Sequence, residues 1–365
     1  MLVKELLTVL DTIAPFSLQE HYDNSGLQVG KPDQEVSRGL VCLDVTPDVM
    51  TEALDKGCDL ILSHHPLIFK GMTSLTGESM VEQVVMDAIR NNMVIVSLHT
   101  SLDNSFSGVN RRLAETLSLE QLQILQPVQE VLKKLVVFCP TGHAEKVRAA
   151  IFKAGAGYIG DYDCCSFNLE GQGSFRAGED ASPFVGNIQE LHYESETRIE
   201  TVFPSFLRQG VIAAMIESHP YEEVAYDVYS LENSYEKAGA GMVGELLEPL
   251  PPEAFLDMVK QRLKSSCLRH TPITSQEPVQ RVAVCGGSGA FLISNAIKSG
   301  AQAFITGDVK YHQFLDAKDQ ILLVDAGHYE TEQYTKALMV DIIQKKIINF
   351  ALLISEVNTN PLNYR

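Results

Sequence analysis

Residues 39–65 read GLVCLDVTPDVMTEALDKGCDLILSHH. The first apolar run, around Gly39–Val45, has the length and composition of a buried strand, and Pro47–Gly57 has a helical pattern. A second apolar run, Asp59–Ser63, then leads into two adjacent histidines, His64 and His65. Successive side chains of a strand point to opposite faces, so a strand interior has no use for paired imidazoles. Past the strand end that alternation relaxes, and both rings can turn toward one spot.

The same grammar extends in both directions. Helix Ser79–Asn92, strand Met93–Thr100 and helix Gly108–Leu119 follow, and strand–helix alternation implies a mostly parallel sheet covered by helices. Near the other end, RVAVCGGSGAFLISNAIKSGAQAFITGDV (281–309) runs strand, Gly turn, helix, Gly, strand, polar end. It is followed by strand Ile321–His328 and one helix over Glu330–Lys346. The two regions resemble internal repeats, as any two βαβ units do. If they are related, two lobes face each other and their polar strand ends meet between them, where an open α/β sheet places its ligands. The middle of the chain orders its elements β-α-β-β-α-β, that of a ferredoxin-like unit. The expected organisation is an α/β fold of two related lobes, 1–128 and 237–365, forming one discontinuous metal-binding domain. An α+β domain, 129–236, is inserted between them.

Composition excludes several classes. Lys plus Arg number 29 against 47 Asp plus Glu, a net charge of −18, which argues against nucleic acid as a partner. An anionic small molecule stays open, because bound metal ions reverse a local field. Seven cysteines without a CxxC fit a reduced, cytoplasmic chain better than a disulfide scaffold or a thiolate zinc site. No signal peptide is read in the amphipathic N-terminus, and no apolar run approaches the roughly 18 residues of a membrane span.

Four segments end strands with ligand-type side chains: His64 and His65; His99 and Asp103; Asp308 and His312; Asp325, His328 and Glu332. His328 and Glu332 are four residues apart and share a helix face. Imidazole and carboxylate together suit zinc, manganese or iron, and a bridging acid flanked by histidines is the kit for two ions about 3.5–4 Å apart. In this reading His64 and His65 face a common metal pair, one ring to each ion. Alone, a strand-end histidine is more often a hydrogen-bonded surface residue, and a His–Glu pair at i, i+4 a solvated one; it is their recurrence that points to metal. His99 is read as a proton shuttle, a residue supporting the ligands, or a ligand itself. Asp308 and His312 line the pocket or orient ligands. GGSG (286–289) is a tight turn or an anion-binding loop. His219 is structural, and Cys164–Cys165 neutral.

Six stretches, HYDNSGLQVG, LILSHHPLIF, SLHTSLDN, ESHPYEEVAYDVY, ITGDVKYH and DAGHYETE, resemble in order the motifs of the GTP cyclohydrolase 1 type 2 homologues, also called NIF-three-like proteins. The resemblance spans the chain. It implies a dinuclear centre on His64, His65, Asp103, His328 and Glu332, with Glu332 bridging; one ion is then expected on His65, Asp103 and Glu332 and the other on His64, His328 and Glu332. It also implies a toroidal homohexamer and an insert similar to PII and CutA proteins. One departure is Tyr22, where the family usually has Trp; the effect expected is on local packing.

Two functions follow. One is a hydrolase with two divalent ions per subunit (zinc first, iron or manganese as alternatives) and His99 carrying protons, acting on a nucleotide or other anionic small molecule; the family label points to purine ring opening. The other is a metal-binding, metal-delivery or regulatory protein without turnover, a reading that the PII-like insert supports.

Overall fold

The computed structural model describes residues 1–365. The chain divides into two compact units, residues 1–127 with 236–365, and residues 128–235. The fold is mixed α/β with several sheets.

In the larger unit the opening stretch forms as its residues dictate. Strand Arg38–Cys42 leads to Thr46, whose hydroxyl accepts from Val49 N at 3.3 Å and caps helix Pro47–Asp55; proline occupies the first turn, where its missing N–H costs nothing. Gly57, at φ 64°, ends that helix in a conformation glycine adopts without strain. Strand Leu60–Ser63 then pairs in parallel with Arg38–Cys42 on one side and Val94–Ser97 on the other. All four of its residues are buried, because helices cover both faces of a parallel sheet. Gly26–Val29 closes one edge antiparallel, and Ala351–Ile354, from the far end of the chain, adds a parallel strand to the other.

The second sheet of this unit has at its centre three parallel strands, Val279–Val284, Ala303–Thr306 and Leu322–Asp325, in the same lateral order as the parallel trio of the first sheet. Arg269–His270 and Tyr235–Leu250 flank them antiparallel, and Leu119–Val128 lies outermost. The single helix expected over 330–346 is two, His328–Glu332 and Thr335–Lys346. The break is held from a distance: Gln333 Nε2 donates to Leu263 O at 2.9 Å, and the Tyr334 hydroxyl donates to Arg262 O at 2.5 Å.

The smaller unit is a four-stranded antiparallel sheet ordered Phe167–Arg176, Leu191–Pro204, Leu132–Pro140, Tyr226–Ser230, with helices Ala144–Lys153 and Arg208–Ser218. Along Leu191–Pro204 burial alternates: Thr197, Ile199, Thr201 and Phe203 turn inward, and Ile199 and Phe203 join Val147, Ile151, Val211 and Met215 in the core. One covered face and one open face produce that period of two. All seven cysteines are free. No helix is long and apolar enough to cross a membrane.

Candidate metal centre

The centre lies where strand ends of the two larger sheets converge. The ladder of strand Leu60–Ser63 continues two residues further, His64 N donating to Cys42 O at 3.1 Å and His65 N to Leu43 O at 2.9 Å, until Pro66 removes the next donor. The two rings sit 4.8 Å apart, tilted by 49°. His328 and Glu332 share one face of their short helix, and Glu332 is 3% exposed. Asp103 closes the helical turn Thr100–Asp103 after strand Val94–Ser97.

Each of the three histidines is anchored through Nδ1. His64 Nδ1 donates to the Leu98 carbonyl at 3.0 Å, His65 Nδ1 to Asp44 Oδ1 at 2.8 Å, and His328 Nδ1 to Asp308 Oδ2 at 2.7 Å. A carbonyl or carboxylate can only accept, so Nδ1 carries the hydrogen and Nε2 faces the centre. His65 Nε2 and His328 Nε2 each lie 3.1 Å from Glu332 Oε2 and 3.3 Å from each other. His64 Nε2 lies 3.6 Å from Asp103 Oδ1 and 3.7 Å from Glu332 Oε1. The two oxygens of Glu332 therefore serve two groups, His64 with Asp103 and His65 with His328. The pairing expected from sequence joined His65 to Asp103 and His64 to His328, whereas here Asp103 faces His64, and His328 faces His65. The reason is lateral order: strand Val94–Ser97, which delivers Asp103, borders strand Leu60–Ser63, and fully buried His64 is the ring turned toward it.

This donor set fits cations. His64 Nε2 and Asp103 Oδ1 are both buried and without a hydrogen-bond partner, although they face one another. Native interiors rarely leave such atoms unpaired, and an ion between them would satisfy both. His64, His65 and Glu332 offer one ligand atom each within 4.8 Å of one another, a group that can hold a metal ion. Without one, charge shifts onto the protein. Burial opposes a charged His65, but Asp44 and Glu332 on its two nitrogens outweigh it and raise the imidazole to about 10. His328 is likewise raised to about 9, with Glu332 and Asp308 overcoming burial. Burial raises Asp103 above the usual carboxylate range, against the pull of His64. Glu332, buried among His64, His328 and His65, stays well below the usual carboxylate range.

A cavity of about 450 Å³ opens beside these residues, within the range of small-molecule sites. Its walls include Tyr22, Phe69, Phe291 and Glu20. His99 lines it too, and its ring lies 5.5 Å from both His64 and His65. Its Nδ1 is 2.8 Å from Asp23 Oδ1, while Asp23 Oδ2 accepts from Thr100 N and the Thr100 hydroxyl. His99 and Thr100 hold Asp23 below the usual carboxylate range in spite of burial. Asp308 orients His328, whereas His312 is exposed on its helix and joins no part of the centre. Asp325 accepts from Val309 N and Gly327 N, both at 3.0 Å, and from Arg269, and so pins the loops rather than facing the cavity. In the smaller unit, His219 Nε2 sits 2.9 Å from Phe138 O and its Nδ1 accepts from Tyr221 N at 3.1 Å. Cys164 and Cys165 are free thiols in that unit.

Sequence reasoning missed three residues. Asp44 follows strand Arg38–Cys42, where an acid past an apolar run was the available signal. Asp23 lay inside the HYDNSG motif but was given no role. Gly287 belongs to the GGSG turn. At φ 60°, a methyl group there would overlap Glu332 Oε1 and lie 3.1 Å from Glu332 Cδ and 3.2 Å from His328 Nε2. Three amides of that turn are taken by side chains of Asn110, Thr331 and Thr306.

Comparison with known proteins agrees along the whole chain. The sequence pattern of the family described as Duf34/NIF3 (NGG1p interacting factor 3) matches residues 1–361. A protein of Halalkalibacterium halodurans named GTP cyclohydrolase 1 type 2 homolog is 36% identical over 364 residues, 98% of each chain. One of the same name from Bacillus subtilis is 36% identical over 366 residues, 99% of this chain and 98% of that one. The crystal structure of a Bacillus cereus protein related to NIF3 superimposes with a TM-score of 0.88 at 36% identity, covering 100% of this chain and 99% of that one. With family pattern, curated relatives and solved structure in accord from end to end, the chain belongs to the Duf34/NIF3 family.

Proposed function

We propose that this protein binds two divalent metal ions per subunit and, so loaded, hydrolyses a nucleotide-like compound. The observation that carries the reading is the pair of buried, unpartnered atoms, His64 Nε2 and Asp103 Oδ1, facing each other beside Glu332. His64, Asp103 and Glu332 would hold one ion and His65, His328 and Glu332 the other, with Glu332 shared. Such donors suit zinc, iron(II) and manganese. A divalent pair bound there supplies the Lewis acidity that activates water and polarises a substrate.

The chain supplies the rest. His99, fixed through Nδ1 by Asp23, exchanges a proton with the substrate through its other nitrogen. Tyr22, Phe69 and Phe291 present faces for a planar ring. No lysine or arginine lines the cavity, so the ring, and not a phosphate tail, is the part these side chains recognise. A GTP cyclohydrolase-like reaction, suggested by the relatives' name GTP cyclohydrolase 1 type 2 homolog, is compatible with that lining.

A second reading, a metal-delivery or regulatory protein without turnover, is favoured by the separate unit 128–235. Numbered along the chain, its strands lie in the order 4-1-3-2, which supports a ferredoxin-like, PII/CutA-like insert at 129–236 in a metal-binding domain of 1–128 and 237–365. A toroidal homohexamer, on the family resemblance, in the cytoplasm, on the seven free cysteines, completes the proposal.

The test is metal content by elemental analysis of wild type and Glu332→Ala, followed by turnover assays of metal-loaded protein against GTP, guanosine and other nucleotides. Two ions in the wild type, their loss in the variant, and turnover that is lost with them are expected. Metal without turnover of any nucleotide would hand the case to the second reading, and absence of metal would end both. Light scattering at micromolar concentration tests the hexamer.

A further inference from the structure

The smaller unit carries a cavity of its own, about 480 Å³, which nothing in the metal reading uses. Phe138, Phe175, Phe184 and Tyr221 wall it. The Tyr221 ring centroid is 5.9 Å from that of Phe175 and 6.3 Å from that of Phe184, the planes inclined at 62° and 52°. The rings thus border a shared space instead of closing it by stacking. Glu196 also lines this cavity, with Oε1 accepting the Tyr221 hydroxyl at 3.0 Å. Its other oxygen, Oε2, lies against the backbone of Gly173, where a methyl group would overlap it and approach Glu196 Cδ to 2.6 Å. The carboxylate therefore lies in a place that only glycine leaves open, with one oxygen committed to tyrosine and the other without a hydrogen bond inside the chain.

Charge decides what such a cavity takes. Glu196, Glu222 and Glu223 line it against a single guanidinium, Arg176. One oxygen of Glu222 accepts from Ser182 N at 2.9 Å. An anion would meet this surplus of carboxylates, and a neutral ring would bury part of Glu196 without replacing its water. An organic cation with an apolar body gains on both counts, since its charge meets the carboxylate and aromatic faces attract it as well. We infer that this cavity is a second ligand site, built for a small organic cation such as a protonated amine carried on a ring, distinct in chemistry from the site of the metal ligands.

The test uses the full-length protein and three probes of one shape. These are 2-phenylethylammonium, its neutral counterpart 2-phenylethanol and the anion 3-phenylpropionate, titrated at neutral pH with ligand-observed NMR. The ammonium is expected to bind at least tenfold tighter than the other two. Glu196→Gln, which keeps shape and removes charge, should weaken it tenfold or more. Gly173→Ala, which fills the space beside Oε2, should do the same by another route. Metal content and thermal melting of both variants control for folding. Equal binding of the three probes, no binding of the ammonium, or ammonium binding unchanged in the two folded variants would overturn the assignment.

Discussion

Gly287→Ala makes a sharp test of the centre, because it alters none of the proposed ligands. The residue has φ 60°, the left-handed region, where a side chain costs roughly 1–2 kcal/mol. In a domain of this size each kcal/mol lowers the melting temperature by about 2–4 °C, so backbone strain alone predicts a loss of roughly 2–8 °C. Strain is only part of the effect, since the added methyl group occupies the position of Glu332 Oε1. The carboxylate must swing away, and it is the group that faces all three histidines.

Gly300→Ala isolates the strain. Its φ is 76°, and nothing lies within 4 Å of an added methyl group. Gly300→Ala should therefore show the strain alone in the metal-free state, measured by thermal melting, and Gly287→Ala should lose more, because displaced Glu332 also gives up His65 and His328. Only Gly287→Ala should lose metal affinity, by at least about 100-fold, the upper end of what disturbing residues behind a ligand costs. Competition with a chromogenic chelator reads that affinity. If Gly287→Ala holds metal like wild type, or if Gly300→Ala loses it equally, Glu332 is not the shared ligand.

Asp44→Asn and Asp308→Asn each weaken the hydrogen bond that orients a histidine, and each should lower metal affinity about 10–100-fold while folding is kept, as chelator competition would show. His99→Ala should keep its metal by elemental analysis yet slow hydrolysis, with whichever substrate the wild type turns over, by roughly 10²–10⁴-fold; metal loss would make His99 a ligand. The pH dependence of the metal-free protein follows from His65 at about 10 and His328 at about 9. Both lie above the unfolded value of about 6.5, so their contribution is complete below that pH and is lost as pH rises through 9 to 10. Thermal melts from pH 7 to 10.5 should fall in wild type and fall less steeply in Glu332→Gln, where Asp44 and Asp308 still raise the two imidazoles.

How much of this was legible depended on whether the information was local. The βαβ grammar is local, since a strand such as Leu60–Ser63 is an apolar run closed by one serine and the helix before it is bounded by Thr46 and Gly57. That His64, His65, His328 and Glu332 come together was also readable, because strand ends converge in α/β sheets and i, i+4 residues share a face. Which histidine meets Asp103 was not, because it depends on the lateral order of strands. The same holds for Asp44, an unremarked acid until its strand lies beside that of His65. The break after Glu332 is hidden for a related reason, since its hydrogen bonds run to Arg262 and Leu263. Strand Leu119–Val128 went unread because its exposed positions are polar, and Tyr235–Leu250 because its mostly buried centre, 238–244, is rich in Gly and Ala and carries little strand signature.

The charges around the centre form a single problem, and the histidine anchors show how it is solved. Asp44 and Asp308 tie down Nδ1 of His65 and His328, so each ring can present a bare Nε2 only by losing its second proton. With both rings neutral, Glu332 would be a buried carboxylate surrounded by lone pairs, with the partly buried carboxylate of Asp103 beside it. Burial makes that arrangement untenable without positive charge. The metal-free chain supplies the charge as protons: two raised imidazoles, with the Asp103 carboxyl pushed upward by burial as well. Divalent ions would supply it instead, displacing those protons, and only they would also satisfy His64 Nε2 and Asp103 Oδ1. Metal uptake should therefore release protons at neutral pH and weaken as pH falls. Isothermal titration in buffers of different ionisation enthalpy measures the number released, and a value near zero would mean that the histidines do not turn their Nε2 lone pairs to a metal.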